Sequence, residues 1–193
     1  MSQSAKKQPA RAPAKADAVV RGRVDMPHTK KLLGTYVIKH SKPDRKQVDA
    51  LRASLRHASL VERVELEREG ISSDLVKNLI GTLGLTSSDF QGVVGIPKAT
   101  YTKKMRDKSF FTGNSGHSVV GLLELINMVE DMITADGQNQ AARDFDVQRW
   151  VGHWIQQPQP ALGGRAPAEL MDTPSGRASV KKVLGAIQSG AYQ

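Results

Sequence analysis

The sequence contains no cysteine, few aromatic residues and no long apolar run. None of its 193 residues is Cys, and only 5% are aromatic. The absence of cysteine excludes disulfide bonds, thiolate zinc sites and cysteine nucleophiles, and it is typical of a reducing cytoplasm. No stretch approaches the roughly 20 apolar residues of a membrane span, and the first residues contain no apolar signal core. We therefore expect a soluble, cytoplasmic protein that makes no contact with a membrane.

Motifs of the common enzyme classes are also missing. No glycine-rich phosphate loop and no G-x-S-x-G elbow occurs. The five histidines are dispersed, with no pair at metal-ligand spacing: His28, His40, His57, His117 and His153. We therefore predict that the chain is not an enzyme, with no catalytic residue, cofactor, metal ion or small-molecule substrate. Binding is the expected mode of action.

Positive charge is concentrated near the N-terminus. The chain has a formal net charge of +9, and residues 1–50 hold twelve Lys and Arg against four Asp, a net of +8. Residues 1–24 contain almost no large apolar side chain, so we predict a disordered basic arm over residues 1–43. A short apolar cluster at 32–38 interrupts the arm. Either the arm binds a polyanion, since Lys and Arg release phosphate counterions, or it is a solubilising tail.

From residue 44 onward, apolar residues recur at spacings of three and four, which predicts an all-α fold. Short polar side chains and glycines mark the expected helix ends: Asp44, Ser72 or Ser73, Gly84, Thr86 and Gly95. We predict a helix-turn-helix domain over residues 44–112 and a small helical domain over residues 113–193. A charged stretch before Gly70 is interpreted as a solvated face.

Residues 86–106 have the outline of a helix-turn-helix. Gly95 ends one short helix, and Pro97 is expected at the first position of the next. Tyr101 and Met105, four residues apart, should pack inward. The outward positions are candidate DNA contacts, because Lys reaches phosphates and Thr reaches base edges: Lys98, Ala99, Thr102, Lys103 and Arg106. The alternative is a solvated basic helix in a bundle.

Two further helices are predicted after a break at residues 113–116. The first carries a broad apolar stripe from Val119 to Ile133, typical of a core or dimer helix. A loop is expected near residues 136–139. In the next helix Trp150 and Trp154 share one face, a spacing more typical of core than of a pocket. Because palindromic operators pair with twofold symmetric proteins, we expect a homodimer, with the 119–133 stripe as its interface.

A dense pattern fills residues 154–177, WIQQPQPALGGRAPAELMDTPSGR. Gly163 and Gly164 predict a turn with positive φ, Pro167 begins a short helix, and Thr173 with Pro174 begins the final helix, whose stripe includes Val180 and Ile187. The pattern resembles the C-terminal toxin-binding domain of the Xre/MbcA/ParS-type antitoxins, which is a Trp followed by P-x-P-A-L-G-G-R-x-P-x-E-L-(L/M)-D-T-x-x-G. The resemblance covers about residues 70–193 and includes an Xre-like helix-turn-helix.

The resemblance implies an antitoxin of a type II RES–Xre toxin–antitoxin system. Such a protein binds a cognate RES-domain toxin that consumes NAD, blocks its active site, and binds operator DNA to repress the shared operon. The C-terminal end approaches the toxin's cleft in this family. The implied toxin contacts are Arg165, Arg177, Lys181, Lys182, Gly190, Ala191, Tyr192 and Gln193.

Alternatives remain open for these residues and for the whole chain. Arg165 and Arg177 are interpreted either as toxin contacts or as partners of internal salt bridges to Glu169 or Asp172. The tail ending in Tyr192 either enters the toxin's cleft or is a frayed terminus. The chain as a whole is alternatively a stand-alone transcriptional regulator whose C-terminal domain dimerises or binds another partner, or a polar-localisation adaptor.

Overall fold

The computed structural model describes residues 44–135 and 145–188. The predicted basic arm, the predicted loop at 136–139 and the C-terminal tail from residue 189 lie outside these residues. The described α-helices are α1 Arg45–His57, α2 Leu60–Glu69, α3 Ser73–Leu83, α4 Ser87–Val94, α5 Lys98–Arg106, α6 Gly113–Ala135, α7 Val147–Trp154 and α8 Pro174–Gln188. Two-residue strands, β1 (Ile71–Ser72) and β2 (Phe110–Phe111), pair antiparallel, with Ile71 opposite Phe111. The all-α fold class is confirmed.

The helix ends are fixed by local capping chemistry that the sequence displays. The Ser72 side chain accepts the backbone N–H of Leu75 at the start of α3. Thr86 and Asp89 form a reciprocal capping box at the start of α4. Gly84 ends α3 at φ 68°, a left-handed conformation that suits glycine because it has no Cβ. The short helices therefore begin and end where side chains or glycine satisfy their free backbone groups.

The core is built around α6, which packs against α1, α2, α4, α7 and α8. Its apolar stripe is buried inside this chain, at Val119, Val120, Leu122, Leu123, Leu125, Ile126 and Val129. These side chains face the chain's own helices. This part of the stripe is core, whereas Met128, Met132 and Ile133 near its end are only partly buried, so a dimer interface there stays a prediction.

The start of α6 also differs from expectation. Residues 113–116 are the first turn of the helix rather than a break before it. A Cβ atom at Gly116 would lie 2.6 Å from the carbonyl oxygen of Phe111, so glycine allows α6 to pack closely on β2. The two glycines therefore serve different purposes, because Gly116 allows close packing whereas Gly113 has a positive φ of 58°.

The buried core is continuous across the proposed domain boundary at 112/113. Arg52 on α1 is only 4% exposed. Its Nε donates to Asn127 Oδ1 on α6 at 3.0 Å, and it pairs with Asp49 and Glu130. Because one core and one polar network join residues 44–112 to α6, the two predicted domains pack as a unit here. The boundary itself stays a prediction.

Candidate functional sites

The inner face of α5 is held by aromatic packing. The Tyr101 ring lies 6.2 Å, centroid to centroid, from both Phe90 of α4 and Phe111 of β2. Its hydroxyl lies 3.3 Å from Ser87 Oγ, at the first residue of α4. Tyr101 is 8% exposed, as its predicted inward direction requires. These contacts fix the orientation of α5 relative to α4.

The outer face of α5 is exposed. All five candidate DNA contacts lie on the surface: Lys98, Ala99, Thr102, Lys103 and Arg106. Arg106 Nε pairs with Asp107 Oδ1 at 2.9 Å, so part of its charge is offset. Pro97 is the N-cap, which places the start of α5 one residue later than predicted. A duplex could approach the lysines and Thr102 without rearrangement of the helix.

Lys104 has a different role from its basic neighbours. Its Nζ donates to the carbonyl oxygen of Phe110 at 2.6 Å and lies 5.6 Å from the centroid of the Phe111 ring. The Lys104 side chain therefore holds the end of α5 against β2 through a hydrogen bond and a cation–π contact. Lys104 was not among the predicted outward positions, but the sequence indicated no partner for it.

The segment between α7 and α8 folds into two 3₁₀ turns, Pro160–Leu162 and Pro167–Leu170. Gly163 and Gly164 have φ values of 67° and 78°, which confirms the predicted turn. The N–H of Ala168 donates to the Ile155 carbonyl at 2.8 Å. Trp150 and Trp154 stack 5.9 Å apart, and Trp154 is 6% exposed, so this pair is part of the packing.

Arg177 is directed into the protein. It is 9% exposed, and its Nη1 donates to the carbonyl of Met171 at 2.9 Å and to Ser118 Oγ at 3.2 Å. Burial lowers the pKa of its guanidinium. Arg177 forms no salt bridge with Asp172, and its Nη1 donates to neutral oxygens instead. The structure thus gives Arg177 an internal position. The sequence analysis did not identify Ser118 as a hydrogen-bond partner, because it considered only the apolar residues of the 119–133 stripe.

The other toxin-contact candidates lie on separate segments. Arg165 is exposed, with its Nε 3.8 Å from Glu169 Oε2, which is the internal partner considered from the sequence. Lys181 pairs with Glu124 of α6, whereas Lys182 is exposed. Ile187 is 43% exposed and only partly joins the predicted stripe. The candidates at 190–193 lie outside the described residues.

Two other kinds of site find no support in the described part of the chain. Over residues 44–135 and 145–188, no group of three or more His, Asp or Glu side chains could hold a metal ion. Within the same ranges no helix combines the length and apolarity that crossing a bilayer demands.

Comparison with known proteins identifies both halves of the chain. Residues 62–110 match the antitoxin Xre-like helix-turn-helix domain, and residues 140–190 match the antitoxin Xre/MbcA/ParS C-terminal toxin-binding domain. The "Prs ADP-ribosylating antitoxin" of Sphingobium sp. is 32% identical over 139 residues, which cover 72% of this chain and 86% of that protein. "Antitoxin Xre" of Photorhabdus laumondii subsp. laumondii is 22% identical over 122 residues, covering 63% and 75%. The chain therefore belongs to the Xre/MbcA/ParS-type antitoxins of toxin–antitoxin systems, with an Xre-like helix-turn-helix and a C-terminal toxin-binding domain.

Proposed function

We propose that the chain neutralises a RES-domain toxin by covering its active site, and that it represses its own operon by binding operator DNA. The proposal rests on the presence of two surfaces in one chain. One is the exposed basic face of α5, and the other is the toxin-binding segment over residues 140–190. Both functions take place in the cytoplasm and need no catalytic residue from this chain.

The DNA half of the proposal is supported by the geometry of α4 and α5. Tyr101 holds α5 from behind, while Lys98, Ala99, Thr102 and Lys103 are exposed on its outer face. A helix presented in this way fits the major groove, where lysines reach phosphates and guanine edges and Thr102 reaches base edges or a thymine methyl. The chain is proposed to bind as a homodimer, since twofold symmetry matches a palindromic operator.

The toxin half is supported by the family match and by the relative's name. The Sphingobium antitoxin is named for ADP-ribosylation of Prs. Transfer of ADP-ribose and hydrolysis of NAD both break the bond between nicotinamide and ribose, so both activities require an NAD-binding cleft. An inhibitor that fills that cleft stops either activity. We therefore propose a toxin that consumes NAD, either by transferring the ADP-ribosyl group to a target or by hydrolysing NAD.

Inhibition is proposed to be steric. Arg165 and Lys182 are exposed and able to pair with acidic groups at the rim of the cleft. The end of α8 leads directly into Gly190, Ala191, Tyr192 and Gln193, whose small residues and single ring suit a nucleotide-sized cleft. Arg177 is proposed to support this surface from inside by fixing the Met171 carbonyl.

Co-expression with the product of the adjacent reading frame tests the proposal. We expect the toxin alone to stop growth and deplete cellular NAD, and the pair to grow, with NAD preserved and a stable complex on co-purification. Failure to form a complex, with retardation of the promoter DNA intact, would favour the stand-alone regulator. Turnover of NAD by the purified antitoxin alone would contradict the steric mechanism.

A further inference from the structure

α7 lies in the segment matched to toxin binding, yet it packs directly against the upstream half of the chain. A Cβ atom at Gly152 would lie 2.0 Å from the carbonyl oxygen of Leu83, so α7 approaches the end of α3 very closely. Asp146 caps α7 by accepting the N–H of Arg149 at 3.1 Å. The close approach at Gly152 holds α7 beside the end of α3 and the turn that joins α3 to α4.

The Arg149 side chain extends along that turn. A Cβ atom at Gly84 would lie only 1.6 Å from Arg149 Nη1 and 2.7 Å from Cζ, so the guanidinium rests on the glycine backbone. Arg149 is exposed. Gly84, which lacks a side chain, provides the space in which the arginine lies.

The charge of Arg149 is not used in an ion pair within residues 44–135 and 145–188. The carboxylate of Asp146 is its acidic neighbour on α7, but that carboxylate pairs with Arg45 Nη2 at 2.7 Å. On α4, the Asp89 carboxylate is turned back onto Thr86, accepting its N–H at 3.0 Å and its hydroxyl at 2.7 Å. Both carboxylates therefore have other partners.

Arg149 is connected to α5 through Gly84 and the first residues of α4. Gly84 lies two residues before Thr86, the N-cap of α4, and Ser87 at the first position of α4 is hydrogen-bonded to Tyr101 of α5. Thr86, Ser87 and Ser88 are exposed. Arg149 therefore lies beside the turn that leads into α4, the helix against which α5 packs.

We propose that Arg149 binds a phosphate of the DNA backbone beside the groove that α5 enters. A duplex docked on α5 must carry its sugar–phosphate strands past the elements that flank α5, and a planar guanidinium with free donors binds phosphate well. The inference rests on the proposed DNA binding and extends it, because it places a DNA contact in the half matched to toxin binding. The contact positions the protein and reads no base.

Arg149→Gln tests the inference, with Arg68→Gln as the matched control. Arg68 is an exposed arginine of α2 that pairs with Glu65 at 3.4 Å, so its substitution removes the same charge from another surface. DNA affinity is measured over a salt series with two duplexes, the promoter region of the chain's own gene and a scrambled sequence. We expect Arg149→Gln to weaken binding to both about three- to tenfold and to reduce the salt slope by about 0.9, the value for one phosphate that is no longer neutralised. Arg149→Lys should retain most of the affinity.

Three further measurements separate the outcomes. Thermal unfolding must show that Arg149→Gln is folded, which is expected for an exposed side chain. Equal DNA binding by Arg149→Gln and Arg68→Gln, with a loss in the Lys98→Ala, Lys103→Ala variant, overturns this inference alone. Normal binding by the lysine variant overturns the proposed DNA function as well. Loss of toxin inhibition by Arg149→Gln with intact DNA affinity would identify a toxin contact and also overturn the inference.

Discussion

Arg177 donates from Nη1 to the carbonyl oxygen of Met171 at 2.9 Å, and this contact joins α8 to the connection that precedes it. The same nitrogen reaches Ser118 on α6, whose hydroxyl also lies 2.9 Å from the Met171 carbonyl. A buried arginine thus joins α8, the connection before it and the central helix. Arg177 can therefore affect the surface of the toxin-binding segment only by holding Met171 and Ser118 in place.

Arg177→Ala should destabilise the fold by about 2–4 kcal/mol, because it removes these hydrogen bonds and leaves a cavity beside Gly121. Urea unfolding followed by circular dichroism measures the loss. Arg165→Ala is the control, since Arg165 is exposed and its pair with Glu169 should contribute less than about 1 kcal/mol. Equal stability of the two variants would show that the buried hydrogen bonds contribute little.

Glu124→Gln should weaken the attachment of α2 and α8 to α6. The Glu124 carboxylate accepts from Arg63 Nη1 at 2.7 Å on one side and from Lys181 on the other. Loss of the shared charge should cost about 1–3 kcal/mol of unfolding free energy. A double-mutant cycle with Lys181→Met measures the share that belongs to the Lys181 pair. A coupling energy near zero would mean that Lys181 is held by packing alone.

Acid should destabilise the protein partly through Glu130. Burial raises the pKa of this carboxyl, but the hydrogen bonds and charges of Arg56 and Arg52 outweigh burial, and the pKa lies below its ordinary value. Because the folded state favours the ionised form, this contribution is present at neutral pH and is lost as pH falls through the folded pKa. Glu130→Gln should therefore reduce stability at pH 7 and make it less dependent on pH in the acid range. Parallel pH profiles of the variant and the native protein would contradict this assignment.

The sequence predicted those elements whose cause is local. Capping by Ser72 and Thr86 and the left-handed glycines depend on neighbours within a few residues, and helical spacing was enough to predict the inward position of Tyr101; all are observed. The break at 113–116 was wrong, because the closeness of Gly116 to Phe111 is a tertiary contact.

Side-chain partners were harder to predict than helices. Helical spacing placed Lys103 but not Lys104 on the outward face of α5, yet it gave no sign that Lys104 is directed toward β2. The partner of Arg177 was expected to be a carboxylate, but the fold brings the Met171 carbonyl and Ser118 to it instead. These distinctions depend on three-dimensional packing that residue spacing does not encode.

Lys98→Ala combined with Lys103→Ala should weaken DNA binding and flatten its salt dependence. The two lysines lie on the exposed face of α5, and removing each phosphate-neutralising charge should reduce the salt slope by about 0.9. The control is Lys46→Ala with Arg68→Gln, which removes the same charge from α1 and α2. Gel retardation with the promoter region of the chain's own gene measures the effect. Equal retardation of both double variants would refute α5 as the DNA-contacting helix.

Removal of residues 189–193 should weaken toxin inhibition without changing DNA affinity. The tail lies outside the described residues, but it follows directly from α8, and the proposed plug is the Tyr192 ring in a nucleotide-sized cleft. Tyr192→Ala should raise the inhibition constant about tenfold, which corresponds to loss of one stacked ring. Deletion of residues 1–43 is the complementary variant, and it should lower affinity for scrambled DNA while leaving toxin inhibition intact, since the arm acts through charge. If the protein without its tail still fully protects toxin-expressing cells and holds NAD at its normal level, inhibition must come from the folded surface around Arg165 and Lys182 instead.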